Sequence, residues 1–138
     1  MEYKNGYLQR VEQRYSYNES RVRVSECTWR DGNLVEAKCT DYNEDGTDIT
    51  TVKYSYSQTA TPINIDLFYI DGGYIDVLEP LDLLGFYGRQ SAKLPNKADI
   101  IYSGESESES DDFGVYTLND DGTVARIDCG SVSYELIY

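Results

Sequence analysis

Apolar residues alternate with polar ones in short runs, and the runs are broken at Asn-Gly and Asp-Gly pairs. One unit recurs: Tyr3-Lys-Asn-Gly6-Tyr-Leu8-Gln-Arg-Val11, Trp29-Arg-Asp-Gly32-Asn-Leu34-Val-Glu-Ala37 and Leu118-Asn-Asp-Asp-Gly122-Thr-Val124-Ala-Arg-Ile127. Each copy sets apolar residues two and five positions after its glycine. A degenerate copy, Tyr42-Asn-Glu-Asp-Gly46-Thr-Asp-Ile49-Thr-Thr-Val52, has them displaced by one. Asn-Gly and Asp-Gly favour the tightest hairpins because both central residues of a type I′ turn need positive φ. The unit is therefore a β-hairpin.

Side chains alternate faces along a strand, so Ala37 and Cys39 share a face, as do Ile127 and Cys129. A two-residue loop at Asp31-Gly32 pairs Arg30 with Asn33, Val24 with Cys39 and Val22 with Asp41. That register buries Val22, Val24, Val35, Ala37 and Cys39. It leaves Arg21, Arg23, Ser25, Cys27, Trp29, Leu34, Glu36 and Lys38 on the polar face. The two-then-five spacing also predicts a bulge near each turn, which would shift this register.

Further strands are expected around residues 49 to 57, 64 to 70, 98 to 103, 113 to 118 and 131 to 138. Pro80 stands where a first helical turn tolerates it and Gly85 or Gly88 where a helix would end. One short helix near residues 76–86 is thus expected to pack Val77, Leu81 and Leu84 onto the sheet. The fold class that follows is all-β: an antiparallel meander of repeated hairpins, forming an open twisted sheet or half-barrel with a helical plug. The 138 residues make a single domain, 1–138. The run 104–112, Gly-Glu-Ser-Glu-Ser-Glu-Ser-Asp-Asp, has no apolar residue and reads as a long, mobile, acidic hairpin loop.

Composition narrows the chemistry. Leu, Ile, Val and Phe together are only about a fifth of the chain, near the level at which a core becomes hard to build. The 14 tyrosines supply the missing buried surface and suit pleated sheets. No histidine is present, which removes His-based triads, His general bases and His-containing metal sites. The net charge of −13 argues against nucleic acid and other anionic partners. Nearly all the acidic excess lies after residue 40, so Arg21 and Arg23 are expected to meet acidic strands of the later half within the fold. There is no transmembrane segment, and Met1-Glu2-Tyr3-Lys4 carries no hydrophobic signal core.

Three features invite a chemical reading. Asp41-Tyr-Asn43-Glu-Asp45-Gly46 matches the first half of a calcium loop, but Val52 stands where the bidentate Glu belongs. A hairpin loop accounts for the segment better, and no metal or cofactor is expected. Cys27, Cys39 and Cys129 cannot all pair. With Cys27 and Cys39 on opposite faces, the expectation is free thiols behaving as small hydrophobes. The binding candidates are Tyr15, Tyr17, Trp29, Tyr54 and Tyr56, since exposed aromatic rings flanked by Arg, Glu and Asn stack on sugar rings or partner side chains while polar neighbours bond hydroxyls.

The segments Trp29-Arg-Asp-Gly-Asn-Leu-Val, Tyr116-Thr-Leu-Asn-Asp-Asp-Gly-Thr-Val-Ala-Arg-Ile and, above all, Asn64-Ile-Asp-Leu followed by Leu84-Gly-Phe-Tyr-Gly-Arg-Gln-Ser-Ala-Lys-Leu-Pro95 give the chain a family likeness. It resembles an uncharacterised β-rich domain of exported lipoproteins of gut Bacteroidetes, and its hairpin units are similar to the tyrosine-aspartate repeats of Rhs-type shell proteins. The resemblance implies a β-rich fold and a cell-envelope location, periplasmic or on the outer surface. It supplies no activity and no functional residues, and the chain differs from the family in lacking a leader and a lipid-bearing Cys. The function expected is a non-catalytic envelope or surface module, not an enzyme, recognising a glycan or a protein. The alternative is a carrier or holdase whose curved sheet encloses an apolar ligand against Leu81, Leu84 and Phe86.

Overall fold

The hairpins close as their turn residues require. In the computed structural model, which describes residues 1–56, 88–89, 91–129 and 132–137, Asn5 and Gly6 have φ of 55° and 86°, and Asp31 and Gly32 have 51° and 77°. Both loops are thus two-residue turns with positive φ at each central position, the geometry that matches strand twist. Strands β1 (Glu2–Lys4), β2 (Tyr7–Tyr15), β3 (Asn18–Arg30), β4 (Asn33–Asn43), β5 (Gly46–Ser55), β6 (Lys97–Tyr102) and β7 (Glu109–Asp112) pair in chain order as an antiparallel meander. A second sheet holds β8 (Val115–Leu118), β9 (Val124–Cys129) and β10 (Val132–Glu135) in the order β10-β9-β8. The protein is all-β, and among the described residues neither sheet closes on itself.

The two-then-five spacing has a structural cause. Tyr3 opposes Leu8 while Glu2 opposes Arg10, so Gln9 is left out of the ladder. Val35 is left out in the same way between Leu34 and Glu36, and Ala125 between Val124 and Arg126. Each hairpin repeat therefore carries a bulge three residues after its glycine. One extra residue returns the position five after the glycine to the face of the position two after it. Leu8 and Val11 are both buried, as are Leu34 and Ala37. The degenerate copy has no bulge, and β4 and β5 pair without interruption from Asn43–Gly46 to Glu36–Lys53.

The bulge at Val35 corrects the expected register of β3 against β4. Arg30 does face Asn33, but beyond the bulge Cys27 faces Ala37, Ser25 faces Cys39 and Val22 faces Tyr42. The face of β3 toward the principal core is accordingly Trp29, Cys27, Ser25, Arg23 and Arg21; Val22 and Val24 lie on the other side, where Val24 is buried as expected, at 8% exposed. Trp29, Leu34 and Cys27, expected on the polar face, turn inward. Cys27 and Cys39 share a face instead of opposing one another. Cys129 lies in the second sheet, so its strand does not pair with that of Cys39.

Cys27, Ala37, Val52 and Ile100 form one row across β3 to β6. With Leu8, Val11, Leu34, Tyr54 and Ala98 they make the principal core, against which Trp29, Tyr56, Tyr102 and Phe113 pack. A smaller core of Leu94, Tyr116 and Val124 lies under the second sheet, and Phe113 packs against both.

Residues 88–89 and 91–96 tie the turn end of the long sheet together. The Arg89 amide donates to the Gly6 carbonyl at 2.7 Å, the Ala92 amide to the Gly32 carbonyl at 2.8 Å and the Asn96 amide to the Ser55 carbonyl at 2.9 Å. Ser91 Oγ accepts from the Leu34 amide at 3.2 Å. Tyr116 Oη donates to the Pro95 carbonyl at 2.9 Å, which joins this strap to the second sheet. Of the acidic run expected as loop, Glu109–Asp112 pairs with β6 as an edge strand, with Ser110 Oγ donating to Asp99 at 2.6 Å. The expected strand at 64 to 70 and helix near 76–86 lie outside the described residues, as do Leu81, Leu84 and Phe86 of the carrier alternative.

Candidate recognition site

The five candidate aromatics separate into two groups at opposite ends of the long sheet. Trp29 Nε1 donates to the Leu8 carbonyl at 2.6 Å, and its ring lies 4.7 Å from that of Tyr7. Tyr54 is 6% exposed and belongs to the core. Tyr56 Oη donates to the Leu34 carbonyl at 2.5 Å and lies 3.2 Å from Ser91 Oγ. Of the three, Tyr56 reaches the strap, at Ser91, while Trp29 and Tyr54 pack within the long sheet's core.

Tyr15 and Tyr17 occupy the other end, where β2 turns into β3. Arg21 lies eight residues from Trp29 along β3, roughly 27 Å at strand rise. The two tyrosine rings meet edge-on, with centroids 5.4 Å apart and planes at 60°. Tyr17 is 76% exposed. The guanidinium of Arg21 lies over the Tyr15 ring, 4.7 Å from its centroid, a cation–π contact that fixes the ring.

Arg21 is itself held. Its Nε donates to Asp41 Oδ1 at 3.1 Å and its Nη2 to Oδ2 at 2.7 Å, while Arg23 Nη2 reaches the same Oδ2 at 3.1 Å. A bidentate fork of this kind adds orientation as well as energy. The Asp41 side chain is only 13% exposed. The hydrogen bonds from Arg21, then from Arg23, hold its carboxyl below the usual carboxylate range despite burial. Arg21 is raised in turn, chiefly by its hydrogen bonds to Asp41. The expected meeting of Arg21 and Arg23 with a later acid thus takes place on Asp41. What the sequence reading missed is that the same guanidinium immobilises Tyr15. The available signal was Arg21-Val-Arg23, whose alternation places both cations on one face.

The clamp also disposes of Asp41 as a partner for Asn43 and Asp45. Both Asp41 oxygens face guanidinium groups. Asn43 Oδ1 accepts from the Asp45 amide at 2.9 Å, and Asn43 Nδ2 donates to Asp48 at 3.2 Å. These are the side-chain bonds of a hairpin loop. Among the described residues, no group of three or more Asp, Glu or Cys converges as a metal site.

No family model, curated protein or solved structure matches the chain. Among the described residues, no helix is long and apolar enough to cross a membrane.

Proposed function

We propose that the chain is a non-catalytic recognition module of the cell envelope or surface that binds a glycan at the Tyr15–Tyr17 end of the long sheet. The envelope setting follows the family resemblance. The single observation that carries the recognition reading is an exposed ring on a fixed support: Tyr17 leans on Tyr15, Tyr15 is capped by Arg21, and Arg21 is clamped by Asp41. A ring presented this way offers an apolar face for the C–H side of a sugar, with guanidinium and hydroxyl groups beside it. Because Tyr15 and Arg21 are ordered before binding, less side-chain freedom is lost on association.

Glycan-array binding of the purified chain tests this, with Tyr17→Ala and Tyr134→Ala as paired variants. Tyr134 is 56% exposed and lies in the other sheet. Loss of binding in Tyr17→Ala, with retention in Tyr134→Ala and both folded, is the expected result. Equal binding by Tyr17→Ala and the parent refutes the assignment, and binding to no glycan redirects it to a protein partner.

A further inference from the structure

Beside the tyrosine pair, on the same face, lie three polar atoms with no hydrogen-bond partner among the described residues. Gln13 and Arg23 oppose one another across β2 and β3, and Ser25 is two residues further along β3. Ser25 is 4% exposed. Gln13 Oε1, Arg23 Nε and Ser25 Oγ are all buried with no hydrogen-bond partner among the described residues. Buried polar atoms are otherwise almost always bonded, because leaving one unpaired forfeits its hydration without return. Arg23 cannot relieve this by swinging away, since its Nη2 is fixed on Asp41.

The three atoms have a definite chemical preference. Arg23 Nε–H only donates, Gln13 Oε1 only accepts, and the Ser25 hydroxyl does either. A carboxylate could not satisfy Gln13 Oε1, and an ammonium could not accept from Arg23. A hydroxyl does both. We infer that Gln13, Arg23 and Ser25 form a hydroxyl-binding subsite that takes one hydroxyl of a saccharide whose ring rests on Tyr17. Strand geometry supports the joint use: Tyr15 follows Gln13 by two residues and Arg21 precedes Arg23 by two, so the Gln13–Arg23 row is roughly 7 Å from the tyrosine row, and Ser25, in the next row, is roughly 13 Å from it. This inference rests on the recognition reading and specifies its ligand as an uncharged polyhydroxylated ring.

The test is calorimetric titration of a panel of neutral monosaccharides and disaccharides into the parent, Ser25→Ala, Gln13→Met and Tyr17→Ala, with thermal melts of each protein alone. The expected result is a loss of about tenfold or more in affinity for the best-bound sugar in Ser25→Ala and Gln13→Met, the range for one bond to a charged or buried polar site. Their sugar-free melting temperatures should be unchanged or raised, because an unpaired buried atom has been removed. A resident water would meet the same donor and acceptor requirements. Unchanged sugar affinity with a lowered sugar-free melting temperature assigns the row to a resident water only and overturns the subsite. Loss of binding in Tyr17→Ala but not in Ser25→Ala or Gln13→Met overturns the subsite and leaves the recognition reading standing. No saccharide binding by the parent overturns both. Monodeoxy analogues of the best-bound sugar, titrated into the parent, provide a check that needs no variant: if no single deoxygenation weakens binding by more than about twofold, the subsite is refuted.

Discussion

The bulge at Val35 decides which residues of β4 face the core, and two single-residue deletions expose that role. Removing Val35 leaves every pair as it stands: Trp29 still opposes Leu34, Thr28 opposes Glu36 and Cys27 opposes Ala37. Only a half-buried valine and the local kink are lost, a cost of about 1 kcal/mol from its transfer energy. Removing Lys38, three residues on, leaves no such solution. The ladder beyond the gap is restored only if Val35 enters it, and Glu36 then takes the place of Ala37 between Cys27 and Val52. Ala37 is 4% and Val52 1% exposed, so a carboxylate would enter the driest row of the core, at several kcal/mol. The alternative is to turn over Cys39 to Asn43, which pulls Asp41 off Arg21 and Arg23. Either route amounts to about 3–5 kcal/mol, a large fraction of the stability of a domain this size. Urea unfolding followed by tyrosine and tryptophan fluorescence should show a small shift in midpoint for the Val35 deletion and a large shift or no cooperative transition for the Lys38 deletion. Equal losses in the two would refute the assigned bulge and the face assignment built on it.

Other consequences are equally direct. Asp41→Asn should lower stability by about 1–2 kcal/mol at pH 7, the range for charged hydrogen bonds at a partly exposed site. Because the folded carboxyl titrates below its unfolded value, this stabilisation is present above the unfolded pKa and is lost as pH falls through the folded one. The gap between parent and variant in urea midpoint should therefore narrow below about pH 4. Gly88→Ala should lower the melting temperature by roughly 6–10 °C, since a Cβ there would come within 2.3 Å of the Gly6 carbonyl oxygen at a φ of +75°. Trp29→Ala should cost about 3 kcal/mol through lost core contact and the lost Tyr7 stack, and Trp29→Phe about 1 kcal/mol through the lost bond to Leu8. In chemical denaturation both should act on stability, and Trp29→Phe should bind glycan as the parent does.

Local signals carried most of the fold. Positive φ at Asn5-Gly6 and Asp31-Gly32 is a property of the dipeptides themselves, and the spacing of Leu8 to Val11 and Leu34 to Ala37 records the bulges residue by residue. The face of Trp29 did not follow from alternation alone, because a single unpaired residue reverses parity and its exact position has to be known. Tyr54 and Tyr56 carry the same alternating pattern as Tyr15 and Tyr17. They differ in what arrives from far along the chain, for Ser91 beside Tyr56 is 35 residues away. Edge position explains the acidic strand: among the described residues β7 has a neighbour on one side only, so Glu109, Asp111 and Asp112 stay solvated while their backbone pairs with β6. Of the candidate site, Tyr15 and Tyr17 were legible as a pair. The clamp that makes them rigid required the pairing of β3 with β4.

The long strands β3 and β4 carry two unlike environments on one face. From Cys27 toward the turn, the face holds Ala37, Val52 and Ile100 and is tied by the strap to two hairpin turns. From Ser25 toward the other end it holds Arg23, Gln13, Arg21 and Asp41, where ion pairs and hydrogen bonds take over from apolar packing. A core extended over that second half would have needed apolar residues at Arg21, Arg23 and Asp41, and apolar replacement of a paired cluster is often neutral or stabilising. Retaining a polar cluster there secures orientation: the bidentate fork sets the Arg21 plane, the plane sets Tyr15, and Tyr15 sets the exposed Tyr17 ring. On the proposed reading, a surface that stacks a ring and reads its hydroxyls depends on each link of that chain of constraints, over and above the stability the Asp41 clamp contributes.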